Sequence, residues 1–537
     1  MRTLDMLRRM SISRRTFVTS GVALSTLWAT HLHAFDAFDP RTIDARGRSR
    51  DARADILKFS DNPFTLGVAS GDPWPDSVVL WTRLALDPTH GGGLPPVPVE
   101  VSWQVATDDK MSKVVKRGKE KATAEWAHSV HAEVSGLEPD RWYWYQFRTG
   151  DHLSPIGRTR TFPKAGASVN QLKFAFASCQ HYEQGYYTAY QAMAAEDLDV
   201  TFFLGDYIYE GAGVKDRPRL HVGPELMTLA DYRDRYAQYK TDPLLQAAHA
   251  HNPWILTWDD HEVANNYAEW HSAKNDPRDI FLARRAAAYH AYYEHQPLRK
   301  TSMPHDAYAQ MYRPFQYGTL ASFFVLDTRQ YRSDQPCDDG TKALCEAALD
   351  GTRSMMGDTQ EKWLYNGLDR SRAAWNVIPQ QVMMGAVDQV SGPDSRYSMD
   401  QWPGYFAELT DVMAFLDRRK PTNPVVLTGD IHSNWVNDLK ADFRKPDSAT
   451  VGTELVVTSI SSGGDGTDMS PRMQNVLREN PFVKFQNSQR GYVSCVLTPQ
   501  SLHADYKVVD AVTKPGGTVT TKASFTIASG KPGAEKS

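Results

Sequence analysis

The alternation of apolar and polar positions changes once along the chain. Between Pro63 and Pro163, short apolar runs are separated by turns. Residues 77–83 (Ser-Val-Val-Leu-Trp-Thr-Arg) and 99–105 (Val-Glu-Val-Ser-Trp-Gln-Val) alternate at the period of a strand, and 142–147 is a bulky aromatic run. This spacing predicts a small antiparallel β-sandwich of immunoglobulin or fibronectin type over residues 58–165. From Leu172 onward strands alternate with helices, which predicts an α/β domain over 171–512. Strands are expected at 172–177, 200–204, 254–258, 321–326, 375–378, 382–384, 425–428 and 454–458. Helices are expected at 185–196, 231–240 and 279–295. Another begins at Thr359, where Asp358 can cap and Glu361 complete a capping box. Residues 491–497 and 502–509 read as a closing hairpin. Residues 513–537, rich in Gly, Lys and Thr, are expected to be a loose tail.

At 537 residues the chain exceeds one core, so at least two domains are expected. A formal net charge of −4 argues against binding polyanions through bulk charge, and no nucleic-acid patch is visible. Four cysteines are too few for a disulfide framework. Ser13-Arg-Arg-Thr-Phe-Val18 is a twin-arginine motif, followed by the short apolar stretch 21–29 and a small residue at Ala34. Residues 1–34 therefore read as a signal for the twin-arginine export machinery and 35–57 as a linker. The expected product is a periplasmic or secreted monomer, since no later run is long enough to span a bilayer.

Strands ending in polar, chemically capable residues stand out against this pattern. The strand at 200–204 runs into Gly205-Asp206, with Tyr209 and Glu210 one turn on. Other strands end at Cys179, at Asp259-Asp260-His261-Glu262 and at Gly429-Asp430-Ile431-His432. Open α/β sheets place their ligands at the carboxyl ends of strands. Acids, imidazoles, a phenol and a thiol gathered there suit a two- or three-metal site for phosphoester hydrolysis, with cations about 3.5–4 Å apart. Asp206 is the natural bridge between cations. Tyr209 and Cys179, as anionic donors, favour a strongly Lewis-acidic ion such as Fe(III).

These motifs resemble the PhoD-like alkaline phosphatases and phosphodiesterases of the calcineurin-like metallophosphoesterase superfamily. The resemblance rests on Gly67-Val-Ala-Ser-Gly-Asp-Pro73, Val79-Leu-Trp-Thr-Arg83, Ala177-Ser-Cys-Gln180, Gly205-Asp-Tyr-Ile-Tyr-Glu210, Asp259-Asp-His-Glu-Val263, Asn265-Asn266, Leu326-Asp-Thr-Arg-Gln-Tyr-Arg332 and Gly429-Asp-Ile-His432. It implies a four-layer α/β/β/α sandwich holding Fe(III) and two Ca(II) ions. Cys179, Asp206, Tyr209 and His432 would surround the iron. Asp206 would bridge to calcium, with Asp430 and a choice among Asp260, Asn265 and Asn266 as further ligands. Asp-Asp-His-Glu stands here where the superfamily usually has Gly-Asn-His-Glu. The family's C-terminal lid helix is not evident in the tail.

The single residues leave alternatives. His261 acts as the general acid for the leaving oxygen or supports a ligand from behind, in preference to binding metal itself, with a purely structural role as the remaining alternative. Glu262 orients a neighbouring ligand. Arg329 either grips a phosphate oxygen or pairs with Asp327. Cys337 and Cys345 form a local disulfide or remain free thiols, Cys495 is core, and Gly463-Gly-Asp-Gly466 is a plain turn. His271, His290 and His295 are expected to be solvated. The function implied is hydrolysis of phosphodiesters, phosphomonoesters or both by a metal-activated hydroxide, for phosphate scavenging. The alternatives are a phospholipase D-type activity on the same site and a catalytically silent exported binding protein. The second would have lost some of the proposed ligands, and all are present.

Overall fold

The structure, a computed structural model, describes residues 59–537 apart from residue 446. The twin-arginine segment and linker lie outside the described residues. The first of two large sheets has ten strands. At its centre Leu172–Ala177, Val200–Phe203 and Trp254–Leu256 pair in parallel. Almost every side chain of these strands is buried, which is why they read as apolar runs rather than alternations. The hairpin Gly491–Leu497 and Ser501–Val509 extends one flank. The second sheet has seven strands, with Ala321–Val325, Trp375–Pro379, Pro424–Thr428 and Thr450–Val456 parallel at its centre.

Phe174, Phe202, Phe323, Val377 and Leu427 fill the space between the sheets as one buried cluster. Outside the first sheet, helices Leu229–Lys240 and Arg278–His295 contribute Tyr232, Tyr236 and Tyr289 to a second core. Outside the second, Gly357–Arg370 and Phe406–Arg419 contribute Leu364 and Leu409 to a third. The layers are therefore α/β/β/α, as expected. Cys179, Asp206 and Asp259 follow three neighbouring strands of the first sheet, and Asp430 and His432 follow Pro424–Thr428 of the second.

Several local expectations are corrected. The 58–165 segment is β-rich and antiparallel within itself, but one of its two strand groups also continues into the catalytic domain. Val68–Gly71, Ser77–Arg83 and Ser129–Ser135 join the ten-stranded sheet, and the remaining strands form a separate five-stranded sheet. A period-two pattern identifies strands but not their partners. The 513–537 tail is not loose: Val519–Ala528 pairs with Ser501–Val509, and Glu535–Lys536 adds the edge strand. Residues 382–384 are not a strand. Asp358 sits in the first turn of a helix that begins at Gly357, and the Ser354 hydroxyl accepts from the Met356 and Gly357 amides instead. His295 is buried, not solvated, with its imidazole 2.7 Å from the Arg83 guanidinium and 2.7 Å from the Ala291 carbonyl.

Candidate metal centre

The centre is assembled from the turns that follow the central strands. Gly205 makes the first one possible. It has φ +111°, and a Cβ there would lie 2.6 Å from the Asp259 amide nitrogen, so the two strand ends approach closely only with glycine. Cys179, Asp206, Asp430 and His432 then all take left-handed backbone conformations, with φ of 58°, 57°, 67° and 52°. Such conformations cost non-glycine residues on the order of 1–3 kcal/mol each and persist where the surroundings enforce them, typically at functional sites. Glu262 enforces part of this one. Its carboxylate accepts from the backbone amides of Asp206 at 3.1 Å and Asp259 at 2.8 Å, and from that of Tyr207, locking both turns together.

The result is a tight convergence of donors. One ligand atom each from Cys179, Asp206 and His432 lies within 4.8 Å of the others, and Asp206, Asp260 and His261 form a second such group. The Tyr209 hydroxyl donates to Asp206 Oδ2 at 2.8 Å and lies 3.1 Å from His432 Nε2. Ser462 approaches the same phenol at 2.8 Å, a contact no sequence motif announced. Asp206 Oδ1 is buried without a hydrogen-bond partner. Burial pushes the Cys179 thiol and the Tyr209 phenol well above their ordinary pKa values, with the Asp206 charge adding to both, and pushes His432 down to about 3. Thiol, phenol, carboxylate and neutral imidazole around an orphaned oxygen are a donor set that a hard, highly charged cation fits, because a cation there favours the anionic forms.

Beside it, His261 Nδ1 is 2.6 Å from Glu210 Oε2, and the ring lies against Tyr209 with centroids 4.1 Å apart. Burial opposes the imidazolium, but Glu210, Asp260 and Asp206 together hold its pKa well above the usual histidine value. Asp260 Oδ2 accepts from the Asn266 amide at 2.6 Å. The Asn265 side chain is exposed, and its backbone amide donates to Glu210 at 2.8 Å. Asp430 Oδ2 accepts from Gln401 at 3.2 Å.

Arg329 lies behind this cluster, fully buried. Its Nε meets Asp259 at 2.5 Å, its Nη1 meets Asp400 at 2.9 Å, and its Nη2 lies 3.7 Å from Asp430 and 3.9 Å from Asp260. Neither expected partner is found: the guanidinium has no exposed face for a phosphate, and Asp327 accepts from the Arg329 backbone amide rather than its side chain. Asp400, Gln401 and Ser462 were missed because nothing in their local sequence marks them. Glu210 closes the Gly205–Glu210 motif, whose sequence alone does not pair it with His261. Arg490, donating to the His432 carbonyl and to those of Gly463 and Gly464, holds the Gly-rich turn to the site. Cys337 and Cys345 are joined as a disulfide, and Cys495 is buried in its strand.

A model of the PhoD-like phosphatase family matches residues 174–506, and a model of its N-terminal domain matches 50–163. The chain belongs to the PhoD-like phosphatase family. It is 50% identical over 483 residues to alkaline phosphatase D of Bacillus subtilis (strain 168), covering 89% of this chain and 83% of that protein. A solved structure of PhoD superposes with a TM-score of 0.88 at 50% identity, covering 89% of this chain and 93% of that one. Membership accounts for the four layers and the β-rich N-terminal part. Among the described residues, no helix is long and apolar enough to cross a membrane.

Proposed function

We propose that this phosphatase-family chain is an exported enzyme that hydrolyses phosphodiesters to monoesters, phosphomonoesters to phosphate, or both, in phosphate scavenging. The chain is a phosphoric ester hydrolase by family. The finer reading rests chiefly on one observation: the Tyr209 hydroxyl, the Asp206 carboxylate and the His432 imidazole meet within 3.1 Å beside the Cys179 thiol. Cys179, Asp206, Tyr209 and His432 would hold Fe(III), while Asp206, Asp260, Asn266 and Asp430 would hold Ca(II). Asn266 is favoured over Asn265 because the Asn265 side chain faces solvent. Bound cations of this kind supply an activated water and neutralise phosphoryl oxygens.

The chain's own side chains do the remaining work. Glu210 takes one nitrogen of His261 and fixes the ring, leaving the other nitrogen to give a proton to the departing oxygen. Arg329 spaces the carboxylates of Asp259, Asp260, Asp400 and Asp430 from behind and does not touch substrate. The twin-arginine motif, outside the described residues, supports export to the periplasm or beyond.

Paired leaving groups test this reading. His261→Asn is expected to slow release of an alkoxide by roughly 10²–10⁴-fold and to change release of p-nitrophenolate much less, because the latter leaves without a proton. Equal losses on both would remove His261 from the acid role. Failure of wild type to turn over bis(p-nitrophenyl) phosphate and p-nitrophenyl phosphate alike would sink the function. Choline release from phosphatidylcholine, without phosphate release from monoesters, would assign the phospholipase D-type alternative.

A further inference from the structure

The segment 335–345 lies outside every motif that marked the site, yet it is bonded to the site at several points. Asn266 Nδ2 donates to Asp339 Oδ2 at 2.8 Å. The Asn266 side-chain nitrogen thus faces the Asp339 carboxylate, and its oxygen faces away from that loop. The Asn266 backbone amide meanwhile donates to Asp260. Gln335 Nε2 donates to the Asn266 carbonyl at 2.8 Å and to Asp400 Oδ1 at 2.6 Å. The Met399 amide donates to the Gly340 carbonyl at 2.8 Å, and Thr341–Lys342 pairs with Tyr397–Ser398. That second segment continues into Asp400, which holds Arg329, and Gln401, which donates to Asp430.

The loop holding these contacts has an unfavourable backbone. Cys337, Asp338, Asp339 and Gly340 are consecutively left-handed, with φ of 57°, 61°, 54° and 72°. Three non-glycine residues in a row in that region do not hold such a turn unaided. Its ends are fastened by the Cys337–Cys345 disulfide, eight residues apart in sequence.

We propose that this disulfide-closed loop is a clamp for the divalent-cation half of the site, with Asp339 as a positioning residue that orients the Asn266 amide oxygen toward the cation. The inference rests on the metal reading above. Reduction by a dithiol, which passes two electrons and two protons to the sulfurs while closing its own disulfide, opens the clamp. The chain then holds its divalent cation weakly wherever Cys337 and Cys345 are kept reduced, as in a reducing cytoplasm, and tightly outside it.

Calcium titration of the full chain by calorimetry tests the clamp independently of turnover. Asp339→Ala is expected to weaken calcium binding by about 10–100-fold, the range for lost ligand-orienting partners. Asp339→Asn, whose amide oxygen still accepts from Asn266, is expected to stay within about threefold of wild type. The Cys337→Ser/Cys345→Ser pair is expected to weaken binding about tenfold. Dithiothreitol should reproduce that loss in wild type and add nothing in the double variant. Wild-type affinity in Asp339→Ala, or an equal dithiothreitol effect in the double variant, overturns the clamp. If wild type binds calcium and turns over esters while the variants match it, only the clamp fails. If wild type neither binds calcium nor turns over esters, the metal reading fails with it.

Discussion

At the scale of single residues, Arg329 shows how the chain holds several buried acids in a small volume. One guanidinium spans Asp259 and Asp400 directly and lies within 3.9 Å of Asp260 and Asp430. Burial penalises the charged form of Asp259 and pushes its pKa up to about 6 despite Arg329. Arg332 also reaches Asp400, at 3.2 Å, but removing Arg329 takes the guanidinium from buried Asp259, and breaking a buried pair in this way typically costs about 3–5 kcal/mol. Arg329→Gln is therefore expected to lower the free energy of unfolding in urea by that amount. Arg329→Lys should fall between, since an ammonium keeps the charge but cannot fork between two carboxylates. Unchanged stability in Arg329→Gln would show that the acids are held some other way. The motif Asp327-Thr-Arg-Gln marked this arginine in the sequence, but its partners lie roughly 70 and 100 residues away on either side, and local spacing cannot reveal them.

At the scale of elements, the strand ends were legible because their chemistry is local. An apolar run stopping at Gly-Asp or Ser-Cys shows both the strand and the residue it presents, and Cys179, Asp206 and Asp430 were found this way. The C-terminal strand was not legible by the same logic. Val519–Ala528 alternates Ala523, Phe525 and Ile527 with Ser and Thr, but the alternation is short and lies between Gly- and Lys-rich flanks. In the fold, Phe525 and Ile527 are only 2% and 3% exposed. Each such side chain contributes about 1.5–3 kcal/mol when buried. Truncation after Gly517 is thus expected to cost roughly 3–6 kcal/mol, seen as a large fall in melting temperature, and to promote association through the uncovered edge of Ser501–Val509. A truncated chain that melts with the full chain would return residues 518–537 to the status of a tail.

At the scale of the molecule, the two sheets bring the ends of strands far apart in sequence to one edge, and the centre exists only there. The order of strands and helices was sufficient to predict an α/β domain, and the motif set was sufficient to predict its four layers. Neither could show that three strands before residue 136 extend the catalytic sheet, because pairing partners depend on the assembled surface. Nor could they show Ser462 against Tyr209 or Asp339 against Asn266, contacts across 253 and 73 residues that carry no local signature. The proposed centre has Tyr209, with Cys179, Asp206 and His432, surrounding an Fe(III) ion. The direct test is the visible absorption spectrum and metal content of the purified protein, measured beside Tyr209→Phe. Bound iron and a broad visible band are expected in wild type, lost or shifted in Tyr209→Phe with the fold intact by circular dichroism. A colourless, fully active wild type carrying zinc or manganese, or a band that Tyr209→Phe leaves unchanged, would contradict it.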